Sequence, residues 1–173
     1  MKTTILVVLM FAVQIVFAQY PPLELSVDQV GAYPNQAVEV SVRAGNNFQN
    51  ITALNGTLIF DPLVIQQPML TYWGLSHPAG ASFANPQPGV LTYDWTSLIT
   101  IGPTLSVGDV VYTLSFDVSG GVGSESTINL DSIPTPLYWE NGFGWSGNNF
   151  SVSSGMVTVI QHPDLIFVDG FEN

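Results

Sequence analysis

Between Leu137 and Trp145 the chain reads Leu137-Tyr138-Trp139-Glu140-Asn141-Gly142-Phe143-Gly144-Trp145, four aromatic rings set among glycines, an amide and a carboxylate. Such rings stack on the apolar faces of sugars or anchor protein partners, and nearby amides and carboxylates add directional hydrogen bonds. Tyr138, Trp139, Glu140, Phe143 and Trp145 are therefore the candidate ligand-binding residues, with Trp139 and Trp145 the rings expected to be exposed. The alternative is structural: the same side chains would roof one end of the fold. Trp73 and Trp95 are expected in the core.

Catalytic chemistry is poorly supplied. Neither Gly-x-Ser-x-Gly nor His-Glu-x-x-His occurs, and the absence of cysteine excludes thiol nucleophiles and cysteine-ligated metals. His77 beside Ser76 and His162 beside Pro163 read as surface histidines. Asp94 and Glu140 would form a glycosidase pair only at a carboxyl separation of roughly 5 to 10 Å, which sequence does not fix. The expectation is a non-enzymatic protein without a dedicated cofactor. Calcium is compatible with acidic loops, but no ligand spacing marks a site. Asn50, Asn55 and Asn149 each begin an Asn-x-Ser/Thr triplet, a glycan acceptor only in a eukaryotic secretory route.

The elements that must position these residues are strands. Leu23, Leu25 and Val27 alternate with polar neighbours, as do Val38, Val40 and Val42 after the turn Tyr33-Pro34-Asn35-Gln36. Ala53 to Phe60 runs into Asp61-Pro62, where proline has no N–H for a ladder. Met69 to Trp73, Val90 to Trp95, Thr127 to Leu130, Phe150 to Val152 and Met156 to Ile160 follow. In Val110 to Val118, the clearest, Val110, Tyr112, Leu114, Phe116 and Val118 share one face, as expected of a central strand. About nine short strands with Gly, Pro and Asn turns and no amphipathic helix predict an all-β protein, an antiparallel two-sheet sandwich or jelly roll. Candidate functional loops are Ser76 to Gly89, Thr96 to Asp109 and Pro134 to Asn149.

Lys2, an apolar run to Phe17 and small residues before Gln19 read as a secretory signal peptide over 1–18, cleaved after Ala18, with no membrane insertion afterwards. Residues 19–160 form one domain, large enough to fold without disulfides, and 161–173 a tail. Of two basic residues only Arg43 survives cleavage, against thirteen acidic ones. Nucleic acid and anionic membranes are thereby excluded, because the groups that would release counterions from phosphates are missing. Charged residues make up only 9% of the chain, so amides, hydroxyls and aromatics must cover its surface, as on extracellular recognition proteins.

In order, Pro34-Asn35-Gln36-Ala37-Val38-Glu39-Val40-Ser41-Val42, the strand ending in Phe60-Asp61-Pro62, Gly108-Asp109-Val110-Val111-Tyr112-Thr113-Leu114-Ser115-Phe116-Asp117-Val118, Ser126 to Leu130, and Ser154-Gly155-Met156-Val157-Thr158-Val159 resemble the cohesin family. Asn35 stands where that family has glycine, and asparagine tolerates the same positive φ. The resemblance implies a nine-stranded jelly roll that grips a dockerin module on a polysaccharide-degrading enzyme. The ending Phe167-Val168-Asp169-Gly170-Phe171-Glu172 is similar to a Phe-x-Asp-Gly-Phe-Glu tail of exported Gram-negative proteins, to be read either as docked through Ile166 and Phe167 or as a processing element.

The function expected is a secreted, non-catalytic cohesin-like module that engages a dockerin-like protein module or a polysaccharide in an extracellular, polysaccharide-associated assembly. The alternatives are a free-standing carbohydrate-binding module using 137–145, a subunit of a surface polymer, and, last, a hydrolase.

Overall fold

The computed structural model describes residues 20–75 and 81–163. The signal-peptide reading, His77 and the Phe-x-Asp-Gly-Phe-Glu tail lie outside the described residues. Thirteen strands form: β1 Leu23–Val27, β2 Gln29–Ala32, β3 Ala37–Ala44, β4 Ile51–Ile59, β5 Ile65–Trp73, β6 Ser82–Gln87, β7 Val90–Thr96, β8 Val110–Val118, β9 Glu125–Asp131, β10 Tyr138–Asn141, β11 Ser146–Gly147, β12 Phe150–Ser153 and β13 Gly155–Val159. All nine expected strands are among them. Among the described residues no helix is long and apolar enough to cross a membrane.

One sheet runs β12-β1-β3-β8-β5; the other runs β11-β10-β4-β9-β13-β2, with β7 on β4 and β6 on β7. The sheets are mixed rather than purely antiparallel, which corrects the sequence expectation. β1 pairs with β12 and β2 with β13, both in parallel. Only Asp28 separates β1 from β2, and only Ser154 separates β12 from β13, so two chain segments cross side by side from one sheet to the other. The Asp28 carbonyl accepts the Met156 N–H at 3.3 Å in that crossing. Splitting β1 from β2, together with β6, β10 and β11 in segments expected to be loops, raises the count from nine to thirteen.

Alternation in the sequence becomes the two faces of each sheet. Val38, Val40 and Val42 of β3 pack with Tyr112, Leu114 and Phe116 of β8, and the second sheet answers with Leu54, Leu58, Tyr93, Trp95 and Ile128. Each such side chain contributes roughly 1.5–3 kcal/mol of burial before conformational entropy is set against it. Asn35 adopts φ 58°, the positive value its place in the turn called for. Asp61 ends β4 as expected: its carboxylate accepts the Leu63 N–H at 2.8 Å, and its carbonyl accepts those of Val64 and Ile65 at 3.1 Å.

Candidate functional site

The aromatic segment is not a free loop. Tyr138–Asn141 is strand β10, paired with β4 through Trp139↔Leu54 and Glu140↔Ala53. Leu137, Trp139 and Asn141 therefore point inward, and Tyr138 and Glu140 lie on the opposite face. The expectation that Trp139 is exposed fails: it is 1% accessible. Its indole N–H donates to the Asn149 side-chain oxygen at 3.2 Å, and its ring meets Tyr20 at 5.2 Å between centroids. The period-two spacing of Leu137, Trp139 and Asn141 is present in the sequence, but it is short and set between Pro136 and Gly142. Trp145 is exposed as expected, at 45%, and Phe143 more so, at 63%. The Trp145 ring leans on Tyr20 with centroids 5.5 Å apart. Trp95 is fully buried, as expected, and Trp73 is half-buried against Tyr112.

Asn50 ties this end of the sandwich together. Its side-chain oxygen accepts the Gly102 N–H at 2.6 Å, its carbonyl accepts that of Gly142 at 2.8 Å, and its own N–H donates to the Thr104 hydroxyl at 2.9 Å. Gly142 is required at the crossing, because a Cβ there would run into the Thr100 carbonyl. Across the turn, the Asn141 side-chain oxygen accepts the N–H groups of Phe143 and Trp145 at 3.1 and 3.0 Å. Between the segment 97–100 and the turn 140–144 lies a cleft of about 380 Å³. Two of the three glycan-acceptor triplets thus begin with asparagines that hold structure: Asn50 here, and Asn149, which also donates to the Tyr20 carbonyl at 2.9 Å.

A second surface, which the sequence did not single out as a site, is the outward face of β3, β8 and β5. Register places Ala37, Asp117 and Gln66 in one row, Glu39, Ser115 and Met69 in the next, and Ser41, Thr113 and Tyr72 in the third. Met69 is 63% and Tyr72 55% exposed. The Ser41 and Thr113 hydroxyls bond to each other at 2.8 Å, stiffening the face beside Tyr72. A depression of about 550 Å³, bordered by Glu39, Tyr72 and Asp109, opens on it. Arg43, the chain's only arginine, is held by both Asp28 carboxylate oxygens at 2.7 and 3.0 Å, a hydrogen bond that raises its pKa further. This face therefore presents acids, hydroxyls and two large apolar side chains.

Asp94 and Glu140 do not form an acid–base pair. Asp94 lies opposite Asn55 and Glu140 opposite Ala53, so β4 stands between the two carboxylates on one outward face. Strand geometry puts their Cα atoms roughly 12 Å apart. The cleft takes in Glu140 but not Asp94. His162 packs its ring on Tyr33 at 4.7 Å. Among the described residues no three His, Cys, Asp or Glu side chains gather to hold a metal ion.

A mixed two-sheet sandwich with this strand path is a cohesin-like fold. No family profile and no curated protein matches the sequence. Among solved structures, the sixth cohesin of scaffoldin B from Acetivibrio cellulolyticus, determined in complex with a mutant dockerin, superposes with a TM-score of 0.66 at 18% identity, covering 80% of this chain and 99% of that one. The seventh type I cohesin of a Pseudobacteroides cellulosolvens scaffoldin gives 0.64 at 14%, covering 88% and 99%. A cohesin–dockerin complex from Clostridium thermocellum gives 0.63 at 14%, covering 80% and 99%. At these identities the likeness establishes the fold.

Proposed function

We propose that this protein is a secreted, non-catalytic binding module whose outward β3–β8–β5 face docks a dockerin-like protein module in an extracellular, polysaccharide-associated assembly. The observation that carries this reading is the three-by-three grid on that face, where Met69 and Tyr72 stand exposed beside Glu39 and Asp117. Exposed aromatic and methionine side chains on a sheet face suit a protein contact better than a small-molecule site. Two of the solved structures with this fold are complexes with dockerins, which supports a protein partner of that kind. Among the described residues Arg43 is the one Lys or Arg, and Asp28 engages it, so the complementary face of the partner carries Lys or Arg beside its apolar anchors. Secretion is supported by the signal-like residues 1–18.

Calcium is compatible with the acidic loops of the sandwich, so the test includes it. The test is capture by immobilised residues 19–173 from the source organism's secreted proteins in calcium, followed by EDTA elution. An EDTA-released enzyme carrying a paired calcium-loop module supports the proposal, and capture of nothing in calcium contradicts it.

A further inference from the structure

We infer that the cleft between residues 97–100 and 140–144 is a binding site for a neutral oligosaccharide, separate from the sheet face and independent of the protein-docking reading. The two-tryptophan platform suggested by the sequence does not form, because Trp139 is buried. What forms instead is a cleft with a row of Thr96, Ala53 and Glu140 across β7, β4 and β10, walled on one side by Ser97 to Thr100. Its polar complement is hydroxyls and one carboxylate. Glu140 is exposed, and its one side-chain hydrogen-bond partner among the described residues is the Tyr138 hydroxyl, which donates to it at 3.4 Å. Its oxygens therefore retain lone pairs for a vicinal pair of sugar hydroxyls, and the threonine and serine hydroxyls can both donate and accept.

Apolar surface lies alongside. Leu98 and Ile99 line the cleft, and Leu98 is exposed over 84% of its surface. Trp145, held by Tyr20 on the side of β10 that carries Trp139, stands outside this cleft. The walls are fixed, because Asn50 and Asn141 take up the N–H groups of Gly102, Gly142, Phe143 and Trp145. A preformed site of about 380 Å³ that mixes CH surface with hydroxyl and carboxylate groups matches the amphipathic faces of a sugar chain. Charge selects among sugars. With Arg43 engaged by Asp28 and thirteen acidic residues in the chain, nothing here compensates a uronate or sulfate.

The test is titration of residues 19–173 with cellohexaose, xylohexaose, mannohexaose and chitohexaose, and with hexagalacturonate as the anionic comparison, read by calorimetry and by tryptophan emission. At least one neutral hexasaccharide should bind saturably. Glu140→Gln and Leu98→Ala should each weaken it at least tenfold, and Tyr72→Ala on the sheet face should leave it within twofold. Glu140 and Leu98 are both exposed, so these variants keep the fold, which unchanged melting temperatures would verify. No neutral hexasaccharide binding at millimolar concentration, equal binding to hexagalacturonate, or full retention in both cleft variants would overturn the inference.

Discussion

The carbonyl of Asn50 accepts the N–H of Gly142 at 2.8 Å, and this contact brings the start of β4 against the turn that carries Phe143 and Trp145. Since the Asn50 side chain also holds Gly102, one residue fixes both walls of the cleft. Asn50 sits at φ 50°, a conformation asparagine tolerates better than alanine.

Asn50→Ala should accordingly destabilise the protein by about 1–3 kcal/mol, because it orphans the Gly102 N–H and strains the backbone. Urea unfolding followed by tryptophan emission measures this. A loss below about 0.5 kcal/mol would mean that the two segments hold together without it.

The two tryptophans of the aromatic segment should separate by stability. Trp139→Ala empties a fully buried site and should cost about 3–5 kcal/mol, whereas Trp145→Ala, half-exposed on Tyr20, should cost less than half as much. Equal losses in denaturant titrations would contradict the inward orientation of Trp139.

Burial pushes the hydroxyl pKa values of Tyr93 and Tyr112 well above the ordinary phenol range, and for Tyr112 the charge that Tyr93 would carry adds to the effect. Their rings lie 5.4 Å apart between centroids. A group whose folded pKa is raised contributes stability that is fully present below its unfolded value, about 10 for tyrosine, and that is lost as pH rises above it. Urea midpoints should therefore hold from pH 7 to about pH 9 and fall steeply above about pH 10. Tyr112→Phe should flatten the alkaline fall, and an unchanged slope in that variant would remove these phenols as its cause.

Much of this architecture was legible because tertiary packing agreed with local pattern. Val110–Val118 alternates over nine residues, and β8 lies inside its sheet between β3 and β5. Asn35 and Asp61-Pro62 sit at turns whose backbone demands can be read from residue type. β6 was missed because Ser82–Gln87 is exposed nearly throughout and contains a proline, so an edge strand there leaves no periodic trace. Trp139 was misplaced for a related reason: four residues of strand between a proline-rich stretch and Gly142 look like loop until β4 is seen beside them. The outward grid of Glu39, Met69 and Tyr72 could not be read at all, because it joins three strands whose register only the folded sheet defines.

The central claim, that the β3–β8–β5 face is the docking surface, is tested most directly by measuring the affinity of a captured partner for single variants on each surface. Tyr72→Ala and Glu39→Lys should each weaken binding at least tenfold, with Glu39→Lys also flattening its salt dependence, while Phe143→Ala on the cleft turn should change it less than twofold. Full affinity in both sheet-face variants, with loss in Phe143→Ala, would contradict the claim and move protein docking to the other end of the sandwich.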